Sequence, residues 1–367
     1  MKIFCLLAIV AISTNTRAQN NAISWNKVLT GVIGNYPATM YLQKTGKSYN
    51  GYYYYDSKQI PMRLMDFESK EDSLHIVAFG QENSEYFDGT YNAGAFSGTW
   101  RNTAAEKMTS LSFSFTESKT IPPPYFDVVY TTYDTEYPIG LEKGRNPSYS
   151  YFASALWPVS STPAPLAGFL KKWVNQQFGN RNPAISIGKF FVDEKNKDLA
   201  SWKRDLASMK KSEIKEYAGS KSLSSERRHT ILYQSDTYIS IADFSWSFTG
   251  GAHGNGGTSM SVLDIKNLKA LKLADVFTPT GKQKLAALLD AAVRAKFNIA
   301  KGAKLRYQDG GVLLVSKIEP TDNFYITGKG VGFNYVPYEI AAYAVGEITL
   351  FLPYDKLKGL LQRAFAK

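Results

Sequence analysis

Between residues 49 and 100 one five-residue pattern occurs three times, an aromatic, any residue, glycine, any residue and a second aromatic. The copies are Tyr49-Asn50-Gly51-Tyr52-Tyr53, Phe87-Asp88-Gly89-Thr90-Tyr91 and Phe96-Ser97-Gly98-Thr99-Trp100. In a strand, residues two apart share a face, so both aromatics flank the glycine on one side and cover the gap it leaves. Glycine inside a strand marks a bulge or a close approach of backbones. Between the copies lie alternating stretches such as Leu74–Phe79 and Leu111–Phe115. No segment here has the length and 3.6-residue periodicity of a helix. Residues 22 to about 118 therefore read as an antiparallel β-meander closing into a small barrel or sandwich, within an all-β domain over 19–120. The 24 Tyr and 21 Phe fit a pleated, half-buried surface. The run Tyr52 to Tyr55 is read as two faces of one strand rather than as an exposed platform for stacking sugars.

The meander ends at Ile121-Pro122-Pro123-Pro124-Tyr125, where consecutive prolines exclude both ladder and helix and predict an extended linker over 121–125. Charge changes sign there too. Residues 19–120 hold 9 Lys and Arg against 10 Asp and Glu; residues 121–367 hold 32 against 22, within a chain of net charge +11.

The third region, 126–367, mixes helices and strands. Leu166, Phe169, Leu170, Trp173 and Val174 recur at helical spacing up to Gly179, and Leu199, Trp202, Leu206 and Met209 mark a second amphipathic helix. Tyr238 to Phe248 alternates, with Tyr238, Phe244, Trp246 and Phe248 on one face, and returns through Ser259 to Ile265. A third helix is predicted over 282–300. Strands follow at 324–327, 331–335 and 347–352, and a last helix from about Tyr354. The fold class is α+β, an N-terminal antiparallel meander followed by a C-terminal α+β domain.

The N-terminus carries an address. Met1-Lys2 is a short positive start, Ile3 to Ile12 is apolar, and Thr16-Arg17-Ala18 places small residues where a signal peptidase reads, so 1–18 is expected to be a signal peptide. No later run approaches twenty apolar residues, so no membrane span is expected. Cys5 is the single cysteine, and it leaves with the peptide. The mature chain then has no disulfide and no thiolate nucleophile or metal ligand. A periplasmic or secreted location follows. There, the anionic partners for a basic region are cell-wall glycans, polysaccharides and lipid headgroups, with nucleic acid set aside.

Catalytic motifs are wanting. The string Gly250-Gly251-Ala252-His253-Gly254-Asn255-Gly256-Gly257 joins two strand-like segments, whereas a phosphate-cradling loop leads from a strand into a helix. His75, His229 and His253 have no metal-ligand spacing, and no Gly-x-Ser-x-Gly occurs. His253 is read as structural. No catalytic residue, metal or cofactor is indicated. A carboxylate pair for glycan hydrolysis or deacetylation, unlocated in the sequence, stays as the alternative to a binding role.

In the order Phe248-Thr249-Gly250-Gly251-Ala252-His253-Gly254-Asn255, Leu271–Phe277, Phe324–Thr327 and Phe333-Asn334-Tyr335-Val336-Pro337-Tyr338-Glu339-Ile340, residues 125–362 resemble a known domain of unknown function. It is the domain in the extracytoplasmic part of sigma-V-type anti-sigma factors, also found beside peptidoglycan deacetylase domains. The resemblance implies an α+β fold, an envelope location and a binding role; in the anti-sigma relatives the partner is lysozyme. Tyr338 and Tyr343, as aromatics able to stack beside the Gly250–Gly257 turn, together with His253, Asn255 and Pro337, are the candidate binding residues. A basic surface favours cell-wall glycan such as peptidoglycan over a basic lysozyme, which stays as the second partner. The N-terminal meander resembles no family.

Overall fold

The computed structural model describes residues 23–70, 73–80, 84–102, 109–123 and 125–365. The expected signal peptide, 1–18, and Pro124 of the expected linker lie outside the described residues.

Eight strands, β1 (Ser24–Ile33), β2 (Tyr36–Thr45), β3 (Ser48–Tyr55), β4 (Met62–Asp66), β5 (Ser73–Phe79), β6 (Ser84–Asn92), β7 (Ala95–Asn102) and β8 (Thr109–Glu117), pair in chain order. β8 pairs back onto β1, Gly31 opposite Phe115, which closes the meander into a barrel. Closure leaves no edge strand to pair with another chain. Alternate residues fill the interior: Leu29, Met40, Leu42, Tyr53, Leu64, Ile76, Phe87, Phe96, Phe113 and Phe115 are all buried in one cluster. This barrel is a packed core rather than a ligand cup. Glu85 is buried within it and accepts from Trp100 Nε1 (2.8 Å), Tyr55 OH (3.2 Å) and Tyr53 OH. The repeated glycines mark close approach: Gly89 and Gly98 face each other across β6 and β7, and a Cβ on Gly98 would lie 2.1 Å from the Asp88 carbonyl oxygen.

The rest of the chain runs β9 (Phe126–Glu136), β10 (Ser148–Pro158), α1 (Ala164–Phe178), α2 (Ile187–Ser208), α3 (Lys211–Glu216), β11 (Leu223–Gln234), β12 (Tyr238–Phe248), β13 (Asn255–Asp264), β14 (Lys269–Leu271), α4 (Leu273–Val276), α5 (Pro279–Lys296), β15 (Phe324–Ile326), β16 (Gly330–Tyr335) and β17 (Ile348–Pro353). A six-stranded sheet has the order β14-β13-β12-β11-β10-β9. Its one parallel pair is β10 with β11, as expected where a helical crossover joins two strands of one sheet. α1 ends at Gly179 with φ of 79°, and Ser186 caps α2 by accepting from Lys189 N (3.3 Å). Leu170, Trp173, Phe191 and Leu206 lay the apolar faces of these helices on Ile231, Ile239 and Ile241 of the sheet. β15, β16 and β17 form a separate antiparallel sheet, against which Leu285, Leu289 and Val293 of α5 pack.

Two sequence expectations need correction. The third helix starts at Pro279 and stops at Lys296, because Thr278 caps it by accepting from Gly281 N (2.9 Å) and Phe297 already leaves helical geometry. The last helix is a single 3₁₀ turn, Tyr354–Leu357, beyond which the chain extends so that Leu360 O accepts from Thr278 N (2.9 Å). β9, β10 and β11 add to the strands read from the sequence; β10 is largely buried on both faces and so lacks a polar alternation.

The barrel is fastened to the large sheet. On β2 and β3 the residues pointing out of the barrel are buried as well, since that wall docks on β11. Tyr41 and Tyr54 join the core of the sheet and helices beside Tyr233, and Tyr41 OH accepts from Gln234 N (2.9 Å). Gln43 Nε2 donates to His229 O (3.1 Å). The proline segment is bonded too: Pro122 O accepts from Gln234 Nε2 (2.5 Å) and Tyr125 O from Val159 N (3.2 Å).

Beneath α1, Arg227 donates twice to Asp243, from Nε (3.0 Å) and Nη2 (2.6 Å). His229, fully buried between Trp173 and Phe178, holds Nε2 at 3.5 Å from the same carboxylate, too long for a good hydrogen bond. Burial pushes the Asp243 carboxyl up, but His229 and Arg227 together outweigh it and hold the group below its ordinary range.

Candidate functional site

The two faces of β12 have different tasks. Ile239 and Ile241 point at the helices, whereas Ser240, Ala242, Phe244 and Trp246 point at the barrel and the small sheet. Because those two bodies cover different parts of that face, a cleft of about 780 Å³ is left between them. The barrel contributes Tyr52, Arg63 and Phe79, the large sheet Phe244, Trp246 and Thr258, and the small sheet and its loops Tyr325, Asn334, Tyr343 and Glu347. Tyr52, Leu232, Ala242, Met260 and Tyr325 form an apolar cluster where the three units meet.

Aromatic rings line several sides of the cleft, and the polar groups around Glu347 are held in place. Glu347 accepts from Thr258 Oγ1 (2.9 Å) and from Asn334 Nδ2 (3.0 Å); Asn334 Oδ1 accepts from Thr349 Oγ1 (2.8 Å). Arg63 stacks its guanidinium 4.0 Å over the Phe244 ring. Burial, with Arg63 acting against it and Glu347 for it, pushes the Tyr52 hydroxyl up to about 12, so it stays a hydrogen-bond donor at neutral pH. Burial likewise raises Tyr325, whose hydroxyl has no hydrogen-bond partner among the described residues.

The glycine-rich turn connecting β12 to β13 forms one rim. Gly254 lies flat against Trp246, where a Cβ would be 2.2 Å from the indole Cζ2, so a larger residue there would displace the ring. The five residues singled out from the sequence gather at this rim. His253 stacks on Tyr343 at 4.2 Å and donates from Nδ1 to Gly254 O (2.8 Å), which also accepts from Tyr343 OH (2.8 Å). Tyr338, with φ of 71° and half its surface exposed, lies 5.6 Å from Tyr343. Pro337 and Tyr343 line the cleft; Asn255 spends its side-chain oxygen on Gly256 N (3.0 Å). Sequence reasoning missed Tyr52, Arg63, Tyr325 and Glu347. Among the described residues no three His, Cys, Asp or Glu side chains converge as metal ligands, and no helix is long and apolar enough to cross a membrane.

Residues 274–355 match the family described as a protein of unknown function, DUF3298. The match takes in α5, the small sheet, Pro337, Tyr338, Tyr343 and Glu347, and bears out the resemblance to a domain of unknown function read from the sequence; the N-terminal region has no family match. A member of the DUF3298 family from Bacteroides fragilis is similar in structure, at 24% identity, over 65% of this chain and 94% of its own, with a TM-score of 0.56. That likeness shows a shared fold. A DUF3298 family protein from Pseudomonas aeruginosa is similar at 18% identity over 67% of this chain and 97% of its own, with a TM-score of 0.45. No curated protein matches the chain.

Proposed function

We propose that the chain is an exported, non-catalytic envelope protein that binds cell-wall glycan in the cleft between the barrel and the two sheets. The observation that carries this reading is the lining itself: aromatic rings on several sides with a small, fixed polar network among them. Sugar rings present apolar C–H faces edged by hydroxyls, so they suit rings that stack and polar groups that are already oriented. Binding is favoured over hydrolysis because, among the described residues, Glu347 is the one carboxylate in the lining. Both its oxygens are engaged by neighbours, and glycoside hydrolysis by the usual route needs a pair. The excess of basic residues after position 121 adds a long-range attraction for acidic wall polymers.

Calorimetric titration of the full chain with soluble peptidoglycan fragments tests this. Association is expected to be strongest at low salt and partly retained at high salt, since the screening length falls from about 8 Å at 0.15 M to about 3 Å at 1 M while stacking is unaffected. Trp246→Ala is expected to weaken binding about tenfold or more by removing an anchoring ring. Equal affinity of that variant and the parent, turnover of the glycan, or salt-insensitive binding of lysozyme without glycan affinity would each overturn the reading.

A further inference from the structure

We infer that the cleft selects an acidic sugar, with Arg63 receiving the sugar's carboxylate while Glu347 addresses its neutral polar groups. The inference rests on the proposed glycan site and narrows its ligand.

Arg63 lines the cleft, and no carboxylate pairs with it among the described residues. Its side chain is held over Phe244 without consuming its N–H groups, so a planar fork of donors is already oriented and loses little freedom on binding. A second guanidinium stands near. Arg228, cross-strand neighbour of Phe244, is close enough to Arg63 for the two cations to repel. Glu226 neutralises Arg228 through bonds of 3.1 and 2.7 Å, but Nη1 of Arg228 is buried without a partner. With Glu226 spent on Arg228, the guanidinium of Arg63 keeps an unpaired positive charge at the barrel side of the cleft, and a carboxylate matches its fork in shape and charge.

Glu347 suits a neutral part of the same sugar. Glu347, fixed by Thr258 and Asn334, offers remaining lone pairs to sugar hydroxyls or an amide N–H.

The test titrates the full chain with a peptide-free oligosaccharide containing N-acetylmuramic acid, with the same oligosaccharide after reduction of its carboxyl groups to alcohols, and with the free stem peptide. The parent is expected to prefer the acidic oligosaccharide about ten- to a hundredfold. Arg63→Gln should bring that ratio close to one while still binding the reduced form, and Arg63→Lys, which keeps charge but not the fork, should fall between. Should Arg63→Gln fail to fold, the Arg63→Lys ratio decides alone. Equal binding of acidic and reduced forms by the parent, or a ratio unchanged in Arg63→Lys, overturns the inference and leaves glycan binding standing. Arg63-dependent binding of the stem peptide alone overturns the assignment to a sugar. Failure of both oligosaccharides to bind removes the glycan site itself.

Discussion

Asp243→Ala is expected to lower the stability of the folded chain by about 3 kcal/mol at pH 7, the lower end of what breaking a buried ion pair costs. The carboxylate is 7% exposed, accepts both donors of Arg227 and faces the buried imidazole of His229. Without it, Arg227 loses its partner under α1. Its own side chain is one-third exposed and can turn partly to water, which is why the upper end of the range is not expected. The same pair sets an acid dependence. A carboxyl whose folded-state pKa is depressed contributes stability in full above its unfolded value of about 3.9 and loses it as the pH falls through the lower folded value. The parent should therefore weaken below about pH 4 partly through Asp243, and the variant should lack that component. Urea midpoints at pH 7 and in acid measure both; equal stability of variant and parent at pH 7 would show that the pair is not held as described.

Tyr54→Ala is expected to cost about 3–5 kcal/mol, the usual range for deleting a buried aromatic. It should also weaken glycan binding, although Tyr54 is not in the cleft lining. Tyr54 is 2% exposed and packs with Tyr41 and Tyr233 at the junction of barrel and sheet. That junction holds Tyr52, Arg63 and Phe79 against Phe244 and Trp246. Phe87→Ala, inside the barrel and away from the junction, should destabilise similarly and leave affinity unchanged in the folded protein. Loss of affinity in both variants, or in neither, would contradict the view that docking of the barrel shapes the cleft.

What the sequence disclosed follows the physics of each element. α1 and α2 were legible because Leu170, Trp173, Trp202 and Leu206 repeat at helical period over one buried face. The strand character of the first hundred residues was legible from alternation, but closure was not. It depends on pairing Leu29–Ile33 with Phe113–Glu117, a long-range match that no local pattern encodes. The same limit applies to the site. His253, Asn255, Pro337, Tyr338 and Tyr343 stood out because they occupy distinctive strings, and the fold brings those strings together at one rim. Phe244 and Trp246 were placed on one face correctly, yet whether that face met core or cleft depended on where the barrel docks. Arg63 looked like one basic residue among many. A usable signal lay in β3, where Tyr52 and Tyr54 put apolar surface on the outside of a barrel strand and so implied a second body covering it.

The location of the glycan site is tested most directly by amide hydrogen exchange of the full chain with and without saturating peptidoglycan fragments. Protection is expected in segments around Tyr52–Arg63, Phe244–Met260 and Tyr343–Thr349, the three walls of the cleft, with little change in α1 and α2. Protection confined to the helices, or to the outer wall of the barrel, would place the ligand elsewhere and contradict the site.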